Sequence, residues 1–239
     1  MPSYNDDDNG LFGILLGLGV IGGAALFFWS RRSQPSRSPR TVDVEIPEIP
    51  INPSDWIGWV QPVPSFEGRT PVISNEYKPG PRYVDGKLNY RAHLGVDIMF
   101  RRRLGDPDGP EDAVAIPKGA TSNPGWIAPA GTPVVAAGPG TIWSADVGPL
   151  GRSVQIDHGS VGSAGGVNTF YQHLESFERP WQKGDIVKAG DVLGMMGGDP
   201  SNAPHLRHLH FELWFPRPGL PAENWPRDPE PFIKMWGAS

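Results

Sequence analysis

The segment HLHFEL, His208–Leu213, alternates polar and apolar side chains along its length. In an extended strand, successive side chains point to opposite faces of the sheet. His208, His210 and Glu212 are therefore predicted to share one face, while the apolar residues that alternate with them face a core. The pattern indicates a β-strand with possible metal ligands on one face and core residues on the other, which would hold the ligands rigidly.

A second segment, HLGVDIMF at His93–Phe100, shows the same alternation and places His93, Gly95 and Asp97 on one face. Zinc binds imidazole nitrogen and carboxylate oxygen, and catalytic sites typically use three protein ligands with water in the fourth position. A single histidine is more often a surface or structural residue. An HxH element followed by Glu, together with an HxxxD element, instead indicates a metal site.

Composition narrows the classes of protein to consider. The chain has no cysteine, which excludes disulfides, thiolate zinc ligands and cysteine nucleophiles. The formal net charge is −5, and the basic residues are scattered except near residue 31 and at 101–103. Nucleic-acid binding needs a broader basic face, so nucleic acid is not an expected partner.

Glycine and proline are abundant, with 31 and 28 residues beside a hydrophobic content of 38%. This composition favours short strands joined by turns, and no long amphipathic helix follows residue 30. We therefore predict a mainly β fold, an antiparallel β-domain over residues 56–239. The β-prone runs are Val134–Ala137, Thr141–Ser144, Val154–His158, Thr169–His173, Ile186–Val187 and Val192–Met195.

The N-terminal part divides into three segments. Residues 1–10 are polar and acidic, residues 11–29 contain no charge, and residues 30–55 are rich in Ser, Pro and Arg, as in a linker. A helix over residues 11–29 would span roughly 28 Å, close to the hydrocarbon thickness of a bilayer. A cleaved signal peptide is the alternative, but the run ends in bulky residues and no basic residue precedes it. We predict a single transmembrane helix.

Four glycines in this predicted helix repeat the small-xxx-small spacing that lets membrane helices approach closely. Association between helices is one interpretation, and flexible filler is the other. The glycines are Gly13, Gly17, Gly19 and Gly23.

The chain resembles the M23 family of peptidoglycan metallopeptidases, which are LytM-like and lysostaphin-like endopeptidases. The resemblance covers most of residues 85–236 and follows the family's order of motifs. The matching motifs are HLGVD (93–97), IAPAGTPVVAAGPGTI (127–142), VQIDHG (154–159), FYQHL (170–174), VKAGDVLGMMGG (187–198), HLHFEL (208–213) and, near the end, DPEPFIKMW (228–236). It implies an antiparallel β-sandwich or open barrel of the LytM type.

The resemblance also implies roles for individual residues. His93, Asp97 and His210 would bind one Zn²⁺ per chain. His173 and His208 would be the catalytic histidines that activate water and stabilise the transition state.

Other residues of these motifs receive supporting roles. Tyr171 stands at the family's usual Tyr position, and Glu212 is a candidate partner that orients a ligand imidazole. His158 is expected to be structural. His205 has no counterpart in the motif, and a rim position is expected for it.

Two departures from the family pattern affect the walls of the expected cleft. Residues 101–126 form an insertion rich in Gly, Pro and charge, predicted to be a loop near the metal that narrows substrate choice or covers the site. The approach to HLHFE reads SNAPHLR (201–207), where the family commonly has a shorter, Gly-rich segment. Neither departure changes the implied ligands.

The expected function is zinc-dependent hydrolysis of peptide cross-links or stem peptides of bacterial peptidoglycan. The first alternative is a catalytically silent relative that acts as a regulator or a structural envelope component. GDIVKAGDVLGMM (184–196) resembles biotinyl and lipoyl carrier domains, but no lysine follows Met195 and Met196 on the turn. A wall-binding module that uses the nine Trp and five Tyr would leave the metal motifs unexplained.

Membrane orientation conflicts with this function. Basic residues follow the predicted helix and an acidic segment precedes it, so the positive-inside rule places the C-terminal part in the cytoplasm. Peptidoglycan lies on the other side. The two expected locations are the bacterial envelope, with the domain facing peptidoglycan, and the membrane of a membrane-containing virion. The basic residues are Arg31, Arg32, Arg37 and Arg40.

Overall fold

Long antiparallel strands organise the protein. The computed structural model describes residues 49, 51–78, 82–84, 87–89, 93–103, 125–198, 206–216 and 225–237, all within one compact unit, Glu45–Ser239. The strands are β1 (Pro71–Asn75), β2 (Arg82–Val84), β3 (Lys87–Asn89), β4 (Val96–Arg101), β5 (Trp126–Ile127), β6 (Pro133–Val135), β7 (Gly140–Gly148), β8 (Gly151–Val161), β9 (Gly165–Phe177), β10 (Ile186–Val187), β11 (Val192–Met196), β12 (Leu209–Trp214) and β13 (Pro226–Arg227). Short 3-10 helices span Pro53–Trp56 and Gly162–Ala164, and the α-helix α1 spans Glu230–Trp236.

Within the described ranges, eleven strands form one sheet in the order β1-β4-β12-β9-β8-β7-β10. β5 and β13 extend β4 and β12, while β11 joins β6 to β9. β2 and β3 form a separate hairpin. All of these pairings are antiparallel, so the fold is mainly β and antiparallel, as predicted.

The position of β12 between β4 and β9 brings distant parts of the chain together. His210 is in register with Asp97 on β4 and with Gln172 on β9. Gly95, just before β4, permits this approach, because a Cβ there would lie 2.2 Å from the carbonyl oxygen of Phe211. A larger residue at position 95 would therefore force the two segments apart.

A β-bulge interrupts β9 at His173. Val167, Thr169 and Tyr171 are buried in alternation, but His173 and Leu174 are both buried. Between the pairs Val154↔Tyr171 and Arg152↔Leu174, β9 has one more residue than β8. Such bulges change the direction in which a side chain points, and regular alternation from the sequence did not predict this one.

The core is apolar and rich in aromatic rings. Trp56 lies edge-on to Phe232, with ring centroids 4.9 Å apart, and Trp59 stacks on Trp236 at 5.1 Å. All four side chains are buried. The segment before β1 therefore packs against α1, and the burial of these four rings stabilises the folded state through the hydrophobic effect.

The six predicted β-runs all overlap strands, β6 to β11, and four of these strands (β7, β8, β9 and β11) are longer than predicted. The HLGVD segment is not extended throughout, since a bend at Gly95 precedes the start of β4 at Val96. The predicted membrane helix, residues 30–48 of the predicted linker, His205 and most of the 101–126 insertion lie outside the described residues, while the end of the linker enters the 3-10 helix Pro53–Trp56. Within the described ranges, no helix combines the length and apolar character needed to cross a bilayer.

Candidate metal centre

Three side chains converge on one point, from β4, from β12 and from the segment just before β4. Nε2 of His93 lies 3.0 Å from Oδ1 of Asp97, and Nδ1 of His210 lies 3.0 Å from the same oxygen. The two ring nitrogens are 3.1 Å apart. One ligand atom from each residue lies within 4.8 Å of the others, so the group could hold a metal ion.

In the imidazoles of His93 and His210, one ring nitrogen is held by a hydrogen bond, and the other ring nitrogen is therefore the one available to a metal. Nδ1 of His93 donates to the backbone carbonyl of Glu76 at 2.6 Å. Nε2 of His210 donates to Oε1 of Glu212 at 2.9 Å. The lone pairs of His93 Nε2 and His210 Nδ1 are then directed, with Asp97 Oδ1, at a common centre. Three lone pairs that face one another require a cation or a proton between them. Two imidazole nitrogens and one carboxylate oxygen are ligands that suit zinc.

A chain of polar contacts orients the Asp97 carboxylate. Its other oxygen, Oδ2, accepts a hydrogen bond from Nδ2 of Asn75 at 2.8 Å. Lys78 in turn donates to Oδ1 of Asn75 at 2.8 Å. Oδ1 of Asp97 is thereby left for the metal centre, and Asn75 fixes the plane of the carboxylate.

Glu212 supports His210 from the other side. Its carboxylate is buried, at 5% exposure, and also accepts from Nε1 of Trp214 and from Gln172 at 3.4 Å. When a carboxylate accepts a hydrogen bond from an imidazole that binds a metal, it fixes the tautomer of the imidazole and raises its basicity as a ligand.

The interactions at the centre favour the charged forms of Asp97 and His210. Burial raises the pKa of Asp97, but hydrogen bonds from His210 and His93 outweigh burial and hold that pKa well below its usual range. Burial lowers the pKa of His210, yet hydrogen bonds to Asp97 and Glu212 raise it to about 9. In metal-free protein a proton on His210 therefore takes the cation's place, and metal binding must release it.

His173 and His208 stand beside this group. Their ring centroids are 4.7 Å apart, and His173 lies 5.9 Å from the ring of His210. Nδ1 of His173 donates to the carbonyl of Leu150 at 2.8 Å, and Nδ1 of His208 donates to the carbonyl of Leu206 at 2.8 Å. Nε2 of His208 is 3.9 Å from Oδ1 of Asp97. In both rings Nε2 is thus the nitrogen suited to proton transfer at the centre.

His158 belongs to a different network under the sheet. Its Nδ1 lies 2.7 Å from the carbonyl of Pro139, and its Nε2 lies 2.7 Å from the Thr169 hydroxyl. Thr169 lies 3.0 Å from the hydroxyl of Tyr171, which accepts from the backbone of Ala137. Burial lowers the pKa of His158 to about 4, so the ring is neutral. It also packs against the ring of Trp59, with centroids 4.5 Å apart, which fits the structural role expected for it.

The structure brings together all five residues that the resemblance selected. Glu212 supports them through His210, whereas the Tyr171 side chain belongs to the network of His158 and Thr169. Sequence reasoning missed Asn75, which precedes the first motif, and Trp214, which directly follows HLHFEL. Asn75 acts through a contact between β1 and β4 that no short motif marks. Trp214 lies two residues after Glu212 on β12, and alternation along that strand was the available signal.

Residues 125–225 match the model of peptidase family M23. The matched range is less than half of the chain, and it includes His173, His208 and His210. His93 and Asp97 precede this range, on the far side of the 101–126 insertion, and the pairing of β4 with β12 brings their segment to the three histidines.

Several solved structures are similar to this chain. A chain of the SpoIIQ–SpoIIIAH pore-forming complex is 19% identical, with a TM-score of 0.47, covering 74% of this chain and 90% of that one. A zinc-containing peptidase from Vibrio cholerae is 21% identical, with a TM-score of 0.45, covering 76% and 40%. The catalytic domain of lysostaphin from Staphylococcus simulans is 23% identical, with a TM-score of 0.41, covering 70% and 92%. Among curated proteins, no significant match was found.

Proposed function

We propose that this M23 protein is a zinc-dependent endopeptidase that hydrolyses peptide cross-links or stem peptides of bacterial peptidoglycan. The observation that carries the proposal is the convergence of His93 Nε2, Asp97 Oδ1 and His210 Nδ1, with His173 and His208 alongside. The family match supports a peptidase, and the lysostaphin and Vibrio structures are described as peptidases.

In the proposed mechanism His93, Asp97 and His210 hold one Zn²⁺. When bound, zinc supplies Lewis acidity that activates water and polarises a peptide carbonyl. Nε2 of one of the two remaining histidines accepts a proton from the attacking water. Nε2–H of the other stabilises the oxyanion that develops on the carbonyl.

The positions of His173 and His208 suit these two roles of proton acceptor and oxyanion stabiliser. The hydrogen bonds from Nδ1 to backbone carbonyls fix the tautomer of both rings. His173 is buried, at 6% exposure, and Nε2 of His208 lies 3.9 Å from Oδ1 of Asp97. A peptide carbonyl held at the Nε2 edges of the two rings would meet a proton acceptor on one ring and a donor on the other.

The experiment uses the full-length protein and three variants, His210→Ala, His208→Ala and His173→Ala. Zinc content is measured first, and purified sacculi are then incubated with each protein and the released fragments identified by mass spectrometry. We expect one zinc per chain in the wild type and in the two catalytic variants, and none in His210→Ala. Loss of a general acid or base should slow hydrolysis about 10²- to 10⁴-fold.

The outcomes separate the candidate functions. Fragments that depend on zinc and on both histidines would support the endopeptidase, and their masses would identify the bond that is cut. Zinc binding without fragments would instead favour a catalytically silent regulator or structural component. A protein that binds no zinc would overturn the metallopeptidase proposal.

We also propose that residues 11–29 anchor the chain as one transmembrane helix, in the bacterial envelope or in the membrane of a virion. The supporting observation is the uncharged run of that length, followed by Arg31 and Arg32. Protease accessibility in intact and lysed spheroplasts tests the sidedness of the domain. Protection inside the cell would favour delivery by a virion, and periplasmic exposure would favour a host envelope enzyme.

A further inference from the structure

Gly197 connects the two proposed catalytic histidines through its backbone. Its N–H donates to the carbonyl oxygen of His173 at 2.7 Å, and its own carbonyl accepts from the backbone N–H of His208 at 2.9 Å. Gly197 follows directly after β11, is buried, and has no side chain that could reach the metal centre. One residue therefore joins the two segments that carry His173 and His208.

His173 depends on this contact because its backbone is in an unfavourable conformation. Its φ is +65°, in the left-handed region that non-glycine residues rarely adopt. His173 is the additional residue of the bulge in β9. In this conformation its Nδ1 reaches the Leu150 carbonyl and its ring faces His208. The hydrogen bond from Gly197 holds the carbonyl of the strained residue in place.

No larger residue fits at position 197. A Cβ there would lie 2.6 Å from the backbone nitrogen of Glu175 and 2.7 Å from the carbonyl oxygen of His173. Both are main-chain atoms of β9, so they cannot move aside as a flexible side chain would. Any substitution must shift the bulge that carries His173, or shift the segment that leads to His208.

We propose that Gly197 is a positioning residue that sets the relative placement of the His173 and His208 rings, and that it serves the hydrolysis proposed above. Gly197 touches neither the metal ligands nor the substrate in this role. It acts through the two backbone hydrogen bonds. The expected effect on catalysis rests on the proposed function. The expected effect on the placement of the two rings does not.

The test compares Gly197→Ala with a matched control, Gly194→Ala, in the full-length protein. Gly194 lies on the same strand pair, and a Cβ there would come within 2.0 Å of the Ser176 carbonyl. It is paired with Phe177 rather than with either histidine. Both variants place a Cβ against the main chain of β9, and the clash at Gly194 is the more severe, but only Gly197→Ala acts on the main chain of the histidines.

Histidine ring resonances, measured by proton–carbon NMR on zinc-loaded protein, provide a readout that does not require activity. We expect Gly197→Ala to shift the resonances of His173 and His208 while those of His93, His210 and His158 keep their positions. Zinc content should stay at one per chain. Gly194→Ala should leave all five sets of resonances in place.

Activity provides the second readout. Displacement of a catalytic group can reduce turnover about 10- to 100-fold, and we expect such a loss of kcat in Gly197→Ala with little change in KM. Unchanged His173 and His208 resonances in Gly197→Ala would overturn the proposal. An equal response to Gly194→Ala would overturn it as well, because the effect would then be general strain.

A measurement on the wild type covers the case in which Gly197→Ala does not fold. Scalar couplings across hydrogen bonds should be detected from Gly197 N to the His173 carbonyl carbon and from His208 N to the Gly197 carbonyl carbon. Absence of both couplings in folded wild-type protein would contradict the proposal. A wild type that shows the couplings but cleaves no peptidoglycan would contradict the proposed function alone.

Discussion

Nε2 of His210 lies 2.9 Å from Oε1 of Glu212, and this contact determines which nitrogen of His210 faces Asp97. The Glu212 carboxylate is an acceptor only, so Nε2 must carry the hydrogen. The lone pair of Nδ1 is then left for the metal centre. A residue outside the proposed ligand set thus selects the tautomer that makes His210 a ligand.

Replacement of Glu212 by Gln is expected to weaken zinc binding. The amide can still accept from His210, but it loses the charge that raises the basicity of the imidazole and cannot serve Trp214 equally well. Loss of such an outer partner typically costs about 10- to 100-fold in metal affinity. Competition with a chromophoric chelator measures this change. Glu178→Gln, an exposed carboxylate beyond β9, is the control, and an equal loss in both variants would contradict the assigned role.

Removal of the metal is expected to lower the stability of the domain. An ion that binds only the folded state stabilises it by about 4 kcal/mol at a free concentration 1,000 times Kd. For a chain of this size that corresponds to a Tm difference of about 8 to 16 °C. Calorimetry with zinc and with EDTA measures the difference.

Two variants control the metal experiment. His210→Ala should show no dependence of Tm on zinc, because a ligand is missing. His208→Ala should keep the full dependence, because this residue is assigned to catalysis. The assignment of roles would be wrong if His208→Ala abolished the effect of zinc.

Asn75→Ala is expected to reduce zinc affinity by about 10-fold, since it releases the Asp97 carboxylate from its fixed plane. The matched control is Ser74→Ala. Ser74 donates to the main-chain carbonyl of Asp97 at 3.1 Å and leaves the carboxylate untouched. Isothermal titration calorimetry compares the two variants, and equal affinities in Asn75→Ala and wild type would refute the role of Asn75.

His158 is expected to make the free energy of unfolding depend on pH. Its pKa is about 4 in the folded protein against a usual 6.5, so the unfolded chain binds the proton more readily. The stability that this residue provides is therefore complete above pH 6.5 and is lost as the pH falls towards 4. Allowing for partial exposure of the ring, we expect a loss on the order of 2 kcal/mol.

Denaturant unfolding at intervals from pH 7 to pH 4 measures this loss. His158→Gln is the control, because an amide can donate to Pro139 and accept from Thr169 without titrating. The difference between the two curves removes contributions from all other groups. Parallel curves over this range would show that His158 does not provide the dependence.

Much of the fold was predictable because it depends on local patterns. Alternation in HLHFEL predicted a strand with His210 and Glu212 on one face, and β12 has that arrangement. The runs between Gly, Pro and Asp predicted the strands that became β6 to β11. Their true lengths were not predictable, since pairing with neighbours extended β8 and β9 through glycines that local propensity treats as breaks.

The sequence by itself determined the ligand types, their spacing and the mainly β class, because alternation and turn residues act within a few positions of the chain. Tertiary structure alone decided which nitrogen of each histidine faces the metal, the support from Asn75 and Trp214, and the bulge at His173. It also decided the link through Gly197. The Asn75 contact, the bulge and the Gly197 link depend on hydrogen bonds between segments far apart in sequence, and such pairing is a property of the packed sheet rather than of any local segment. The contacts of Glu212 with His210 and Trp214 lie within β12, but they depend on side-chain conformations that packing fixes.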